Sequence, residues 1–173
     1  MQREGRTLRV QVNGTPAPRT HERRPLALWP LLALMGFLAI GGFVGGISFV
    51  VDPTGAGLGV KQSWLEQTPV SDYLLPGVFL LVVYAIGSAI MMAGLAWRFS
   101  PGPLQRIDRR MGVHWSWTGT ILVGAVLVGW ILYQFVIIPE TILLQPILIA
   151  VGILMIAIPV LPSMRGYYAT RRA

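Results

Sequence analysis

Residues 73–97 read YLLPGVFLLVVYAIGSAIMMAGLAW, 25 positions without one charged side chain. About 20 apolar residues of α-helix suffice to cross a hydrocarbon core of about 30 Å, so this stretch is long enough to span a bilayer. Working outward, three more uncharged runs appear: Pro25 to Val51 before it, and Trp115 to Pro139 and Thr141 to Met164 after it. In lipid the backbone N–H and C=O groups must be paired within the segment, and for runs of this length that means helices. The expected fold is all-α, a four-transmembrane-helix bundle with helices at about 27–51, 73–97, 115–138 and 141–162.

Composition agrees. Hydrophobic residues make up 54% of the chain and charged ones 12%, against about 25% charged in a soluble domain. With 173 residues there is room for one bundle, over residues 26–164. Residues 1–25, with Pro16, Pro18 and Pro25 among arginines, cannot bury enough apolar surface to order themselves and read as a disordered basic tail. Residues 165–173 read as a second, short basic tail. A signal peptide also starts basic, but its apolar region runs about 7–15 residues, so helix one is expected to be retained. No cysteine is present, which removes disulfides and thiolate metal sites.

The charges between the runs give an orientation, because Lys and Arg near membrane ends stay on the cytoplasmic side. Six arginines precede the first run, four (Arg98, Arg106, Arg109, Arg110) separate the second from the third, and three follow the fourth; only Lys61 falls elsewhere. Four crossings put these segments on one face, so both the N- and C-termini are expected to be cytoplasmic. Trp29, Trp97, Trp115, Trp117, Tyr167 and Tyr168 fall at that inner boundary and Tyr73 at the outer one, as interfacial aromatics do. The net charge of +7 is then a product of topology and of anionic lipid headgroups, and no nucleic-acid partner is expected.

Gly41, Gly42, Gly45 and Gly46 form two overlapping small-xxx-small patterns, expected to pack closely on helix two or four, with a dimer face as the alternative. Gly87 and Gly94 on helix two, and Gly119, Gly124 and Gly129 on helix three, extend the theme. Asp52-Pro53-Thr54-Gly55 matches a type I turn. The loop that follows, to Asp72, is expected to form a short hairpin or interfacial helix over the bundle mouth, with Ser71 or Asp72 capping helix two. Leu104, Ile107 and Met111, interleaved with arginines after Ser100-Pro101-Gly102-Pro103, predict a short surface helix. That helix reads either as a basic connector held by lipid phosphates or as a docking site for a partner protein. Pro139-Glu140-Thr141 leaves a near-absent turn between helices three and four, and Pro146, Pro159 and Pro162 make helix four the most irregular.

No ionised residue lies deep in any run, whereas pumps and ion pathways usually carry one. The two histidines, His21 in the tail and His114 at the boundary, do not offer bis-histidine haem ligation inside the bundle. No H-E-x-x-H pairing exists for zinc. Ser88 lies about 14 Å, nine residues at 1.5 Å each, from the inner end of helix two, so it is not expected to meet His114. No catalytic, cofactor-binding or metal residue is therefore assigned. Tyr84, Ser88, Thr118, Thr120, Gln134 and Gln145 are expected to hydrogen-bond between helices. Asp52, Asp72, Glu140, Gln134 and Gln145 form the candidate polar cluster of the outer face, a weak cation site or vestibule if the helix ends converge.

Asp52-Pro53-Thr54-Gly55, Leu65-Glu66-Gln67-Thr68-Pro69 and Asp72-Tyr73-Leu74-Leu75-Pro76-Gly77 together resemble a pattern in small bacterial four-helix membrane proteins of uncharacterised function. The resemblance covers about 50 residues and implies a multi-pass protein of the bacterial inner membrane, but no activity. The function expected is a non-enzymatic accessory or assembly component, as a homo-oligomer or with a membrane-protein partner. The alternatives are a subunit of an oligomeric transporter or channel using the acidic outer face and, third, a membrane enzyme acting on lipid or quinone.

Overall fold

The computed structural model describes residues 24–66, 68–138 and 143–169, and among them forms helices and no strand. Helix α1 runs Leu28–Val51, α2 Leu74–Trp97, α3 Gly102–Met111, α4 Trp115–Ile137, α5 Leu144–Val160 and α6 Pro162–Tyr168. The all-α expectation holds. Helices α1, α2 and α4 are each long and apolar enough to cross a membrane, and α5 with α6 make a further such pair bent by 65°. Most of the disordered tail expected over residues 1–25, the Pro139-Glu140-Thr141 turn and residues 170–173 lie outside the described residues.

Leu28, Leu31, Met35, Leu38, Gly42 and Gly46 are the buried residues of α1, a stripe at spacings of three or four. It packs with Tyr84 and Leu95 of α2, Val123, Leu127 and Ile131 of α4, and Met155 of α5 into one core. On the other faces Phe37, Phe43, Val82, Ile86, Leu122 and Ile153 are exposed. Apolar belts this broad are left bare where lipid, not water, surrounds the helices.

Two crossings set the helix spacing. A Cβ at Gly46 would sit 2.9 Å from the Gly77 carbonyl oxygen, and one at Gly77 would sit 3.1 Å from that of Gly46. Gly124 and Gly152 meet in the same reciprocal way, at 2.9 and 3.0 Å. Of the four glycines singled out in α1, Gly42 and Gly46 are the contact pair; Gly45 meets only Leu80, and Gly41 faces open space. Gly94 is also closed off, by Ser116 and the Trp115 ring, whereas Gly129 has open space beside it.

Helix α2 differs from the regular span expected. Residues Leu80–Gly87 form a π-helix, whose i→i+5 hydrogen bonds widen the turn. This segment faces Gly42, where Tyr84 Cβ and the Ala85 N would each lie 2.8 Å from an added Cβ. Tyr84 and Ala85, neighbours in sequence, are both buried.

Among the described residues the long loop forms short helices rather than a hairpin, and they are 3-10 rather than α. It makes two 3-10 turns, Ala56–Leu58 and Gln62–Leu65, and left-handed glycines at Gly55 (φ 76°) and Gly59 (φ 68°) interrupt any extended run. The turn at Asp52 forms as expected, closed by Gly55 N donating to Asp52 O at 3.1 Å. Tyr73 is buried rather than interfacial: its ring stacks on Phe49 at 4.8 Å and its hydroxyl donates to Lys61 O. At the other end, residues 165–169 are not a tail. Pro162 starts α6, whose Met164 and Tyr168 are buried, and the Tyr168 carbonyl accepts from His114 N at 3.0 Å.

Gly42→Ala and Gly46→Ala each push a methyl into a neighbouring backbone, and each is expected to cost about 1–3 kcal/mol. Gly41→Ala, with open space and a helical backbone, should be neutral or slightly stabilising. Thermal unfolding in detergent of the three variants checks the ranking; equal losses would reject the crossing as described.

Candidate functional site at the α3 end of the bundle

Helices α2 and α4 are joined through α3, and the polar chemistry of the molecule collects there. Helix α3 begins after Pro101, with Pro103 in its first turn where a fixed φ is tolerated, and ends at Gly112, in the left-handed conformation at φ 70°. Its one acid, Asp108, is only 5% exposed. The carboxylate accepts at both oxygens: Oδ1 from the Trp115 backbone N–H at 2.6 Å, and Oδ2 from the Ser100 hydroxyl at 2.6 Å. It thereby takes up one of the donors left over at the start of α4 and favours that helix's dipole.

His114, 6% exposed, precedes α4 as its N-cap. Its Nε2 lies 3.0 Å from Ser100 Oγ, and its Nδ1 lies 2.7 Å from Ser116 Oγ and 3.4 Å from Ser116 N. The Ser100 hydroxyl has a single proton, and the Asp108 carboxylate takes it. Ser100 Oγ therefore offers His114 a lone pair, and Nε2 carries the hydrogen. Nδ1 is left as an acceptor, matched to the Ser116 hydroxyl and N–H. The result is a one-directional chain: Ser116 donates to His114, His114 to Ser100, and Ser100 to Asp108. Burial, the largest effect, holds the imidazole below its ordinary value; the nearby Asp108 carboxylate pulls it upward, and the Arg98 charge adds to the lowering.

This arrangement does not activate a nucleophile. A catalytic serine aims its proton at the imidazole, whereas Ser100 aims it at Asp108. The chain instead joins the α2–α3 linker, α3 and α4.

Aromatic donors complete the joint. Trp115 Nε1 donates to Phe99 O at 3.0 Å, Tyr168 Oη to Leu95 O at 2.6 Å, and Trp117 Nε1 to Pro159 O at 2.8 Å. Leu95 and Pro159 lie in the last turns of α2 and α5, where carbonyls lack intrahelical partners. Trp115 and Tyr168, read from sequence as interfacial aromatics, are thus buried helix-end donors; Trp97, 74% exposed, keeps a place open to an interface. Arg98 closes α2 in the left-handed region at φ 51°, with its guanidinium 4.4 Å from the centre of the Tyr167 ring.

Of the polar cluster expected at the opposite end, Asp52, Asp72, Gln134 and Gln145 are among the described residues. The Tyr73 N–H bonds Pro53 O, which draws the Asp52 and Asp72 segments together, yet each carboxylate turns into its own segment. Asp52 accepts from Thr54 Oγ1 at 2.6 Å and Gly57 N at 2.9 Å, and the Thr54 hydroxyl, then the Gly57 N–H, hold its carboxyl below the usual range. Asp72 accepts from Leu74 N at 3.0 Å, the capping role expected. Gln134 is half-buried near the end of α4, Gln145 is buried at the start of α5, and Glu140 lies outside the described residues. Among the described residues no group of three or more His, Cys, Asp or Glu is placed to hold a metal. A hollow of about 500 Å³ in the long loop, between Gln62, Glu66 and Ser71, is separate from both carboxylates.

Of the polar residues expected to bond between helices, Tyr84 does, to Val126 O at 3.4 Å, and Thr120 Oγ1 reaches Met35 Sδ of α1 at 3.7 Å while also lying 2.8 Å from Ser116 O of its own helix. Ser88 Oγ is buried with no partner among the described residues, and it does not meet His114. Ser100, Asp108 and Ser116 went unread. One signal was present: Asp108 follows Leu104 by four residues, placing the acid on the apolar side of a basic helix.

The chain matches no protein-family model, no curated protein and no solved structure. The geometry alone carries the reading.

Asp108→Ala orphans the Trp115 N–H and the Ser100 hydroxyl, and is expected to cost about 2–4 kcal/mol, against under about 0.5 for exposed Arg109→Ala. Because the native fold resists protonating His114, the unfolded chain binds more protons once pH falls below about 6.5. Stability should be level above that pH and decline below it, toward the lowered native value. His114→Asn keeps a capping side chain and should flatten that decline. Unfolding midpoints in detergent between pH 5 and 8 test this; an unchanged slope in the variant would refute it.

Proposed function

We propose that the chain is a four-span protein of the bacterial inner membrane, with both termini cytoplasmic, that works as a non-enzymatic accessory or assembly component. The observation that carries this is the closed interior. The Gly46–Gly77 and Gly124–Gly152 crossings bring helix backbones into contact, and such a body is suited to packing against partners rather than to conducting. In this reading α5 and α6 together make the fourth crossing, bent where Leu161 meets Pro162. The arginine distribution supports the orientation, and the outer-loop resemblance to small bacterial four-helix proteins supports the compartment. The saturated Asp108–Ser100–His114–Ser116 chain fits the same role, since its polar atoms are spent on holding helix ends. A second copy of the chain or another membrane protein would cover part of the exposed apolar belt.

Two measurements on the intact protein test this. A phosphatase reporter inserted after Gly59 should be active, and an inactive one would invert the topology. Reconstituted in liposomes, the protein should pass no ions or small solutes; flux abolished by Asp52→Asn would replace the accessory reading with a transporter, whereas stable co-purification of one membrane partner is the expected result.

A further inference from the structure

We infer that α3 is a docking helix for an anionic phospholipid surface, held in one rotation about its axis by the Asp108 hydrogen bonds. The inference deepens the membrane reading above and rests on it. Helix α3 connects the end of one membrane-length helix to the start of another, so it lies at headgroup level on whichever side that end occupies.

Its rotation is fixed by chemistry. Asp108 faces inward with both oxygens engaged, and its partners, Ser100 and the Trp115 N–H, belong to segments on either side of the helix. With that face turned in, Arg106, Arg109 and Arg110 are exposed, and Met111 is exposed beside them. Arg165 on α6 is also exposed at this end. Asp52, Glu66 and Asp72 lie at the opposite end, so among the described residues Asp108 is the acid of the α3 end, and it is withdrawn from the surface. A face of guanidinium forks without an exposed acid complements phosphodiesters, which Arg binds through paired N–H donors. Met111 supplies an apolar contact at the acyl boundary.

The occupant is an anionic phospholipid surface because the helix is already at that surface and the attraction needs no induced fit. Basic residues near an anionic leaflet each strengthen binding roughly fivefold, and salt weakens the effect. The test uses the full chain in nanodiscs of phosphatidylcholine alone or with one-third phosphatidylglycerol, and amide hydrogen exchange over residues 102–111. Exchange should slow about tenfold or more with phosphatidylglycerol, while α1 and α4 stay unchanged, and high salt should remove the difference. The combined variant Arg106→Gln, Arg109→Gln, Arg110→Gln should lose it. Asp108→Ala keeps all three arginines but removes both hydrogen bonds, and should lose several-fold of the protection, because the helix is free to roll. Equal exchange in the two lipids, as for a helix that serves a protein partner, would overturn the proposal; so would an unchanged lipid effect in the triple variant. Full protection in Asp108→Ala would overturn the fixed rotation. None of these outcomes depends on the reporter that reads topology, so a wrong orientation and a wrong occupant are told apart.

Discussion

A helix end leaves four N–H or four C=O groups without intrahelical partners, and burying such a group unpaired is costly. This constraint shapes the α3 end of the molecule. Asp108 takes the first N–H of α4, His114 accepts the next, and the hydroxyl and indole donors of Tyr168 and Trp117 go to carbonyls near the ends of α2 and α5. Except for His114, which is the N-cap of α4 itself, each partner comes from a different segment from the one it caps. Satisfying the helix ends and joining the helices are therefore largely one act, and the linker Arg98 to His114 is hydrogen-bonded to the start of α4 through Ser100, Asp108 and Phe99.

The interior follows a separate rule. Apolar side chains gain little by leaving lipid for protein, so what draws membrane helices together is close contact. Gly46 with Gly77, and Gly124 with Gly152, supply that contact in both hairpins, and the widened turn of α2 fits the backbone of α1 at Gly42. Substitution is tolerated or not according to whether a backbone lies opposite, which is why Gly41 and Gly42, adjacent in sequence, differ so sharply.

Much of the fold was legible because lipid imposes a coarse grammar. Uncharged runs marked α1, α2 and α4 to within about two residues, Asp52-Pro53-Thr54-Gly55 marked the turn, and Leu104 with Met111 marked α3. The departures have physical causes. Nothing in Leu80 to Gly87 announces a π-helix, since its composition is that of any apolar span and the widening answers to Gly42 across the interface. Tyr168 and Trp115 have the residue types of an interfacial belt, and only the positions of distant carbonyls, Leu95 in the last turn of α2 and Phe99 in the linker, turn them inward. The Asp108 network joins residues 100, 108, 114 and 116 through a helix rotation that a linear pattern records only as an acid among apolar neighbours. At the other end the Asp52 and Asp72 carboxylates accept from Thr54, Gly57 and Leu74, each within five residues, local donors that a reading of charges at helix ends does not weigh.

The direction of hydrogen bonding in the network has a further consequence. Because Asp108 only accepts and Ser116 can only donate to a neutral Nδ1, the chain has one low-energy sense, with the negative charge at the α3 end and the hydroxyl at the α4 end. Protonating His114 would reverse the Ser116 hydroxyl and withdraw the acceptor from the Ser116 N–H, so the charge state of one imidazole is coupled to the first turn of α4. Sequestering Asp108 has the complementary effect outside. An exposed acid at position 108 would neutralise part of the arginine face beside it, whereas a buried one leaves that face basic and uses its own charge to cap the adjoining helix. The same carboxylate thus organises the inside of the joint by accepting hydrogen bonds and the outside by its withdrawal.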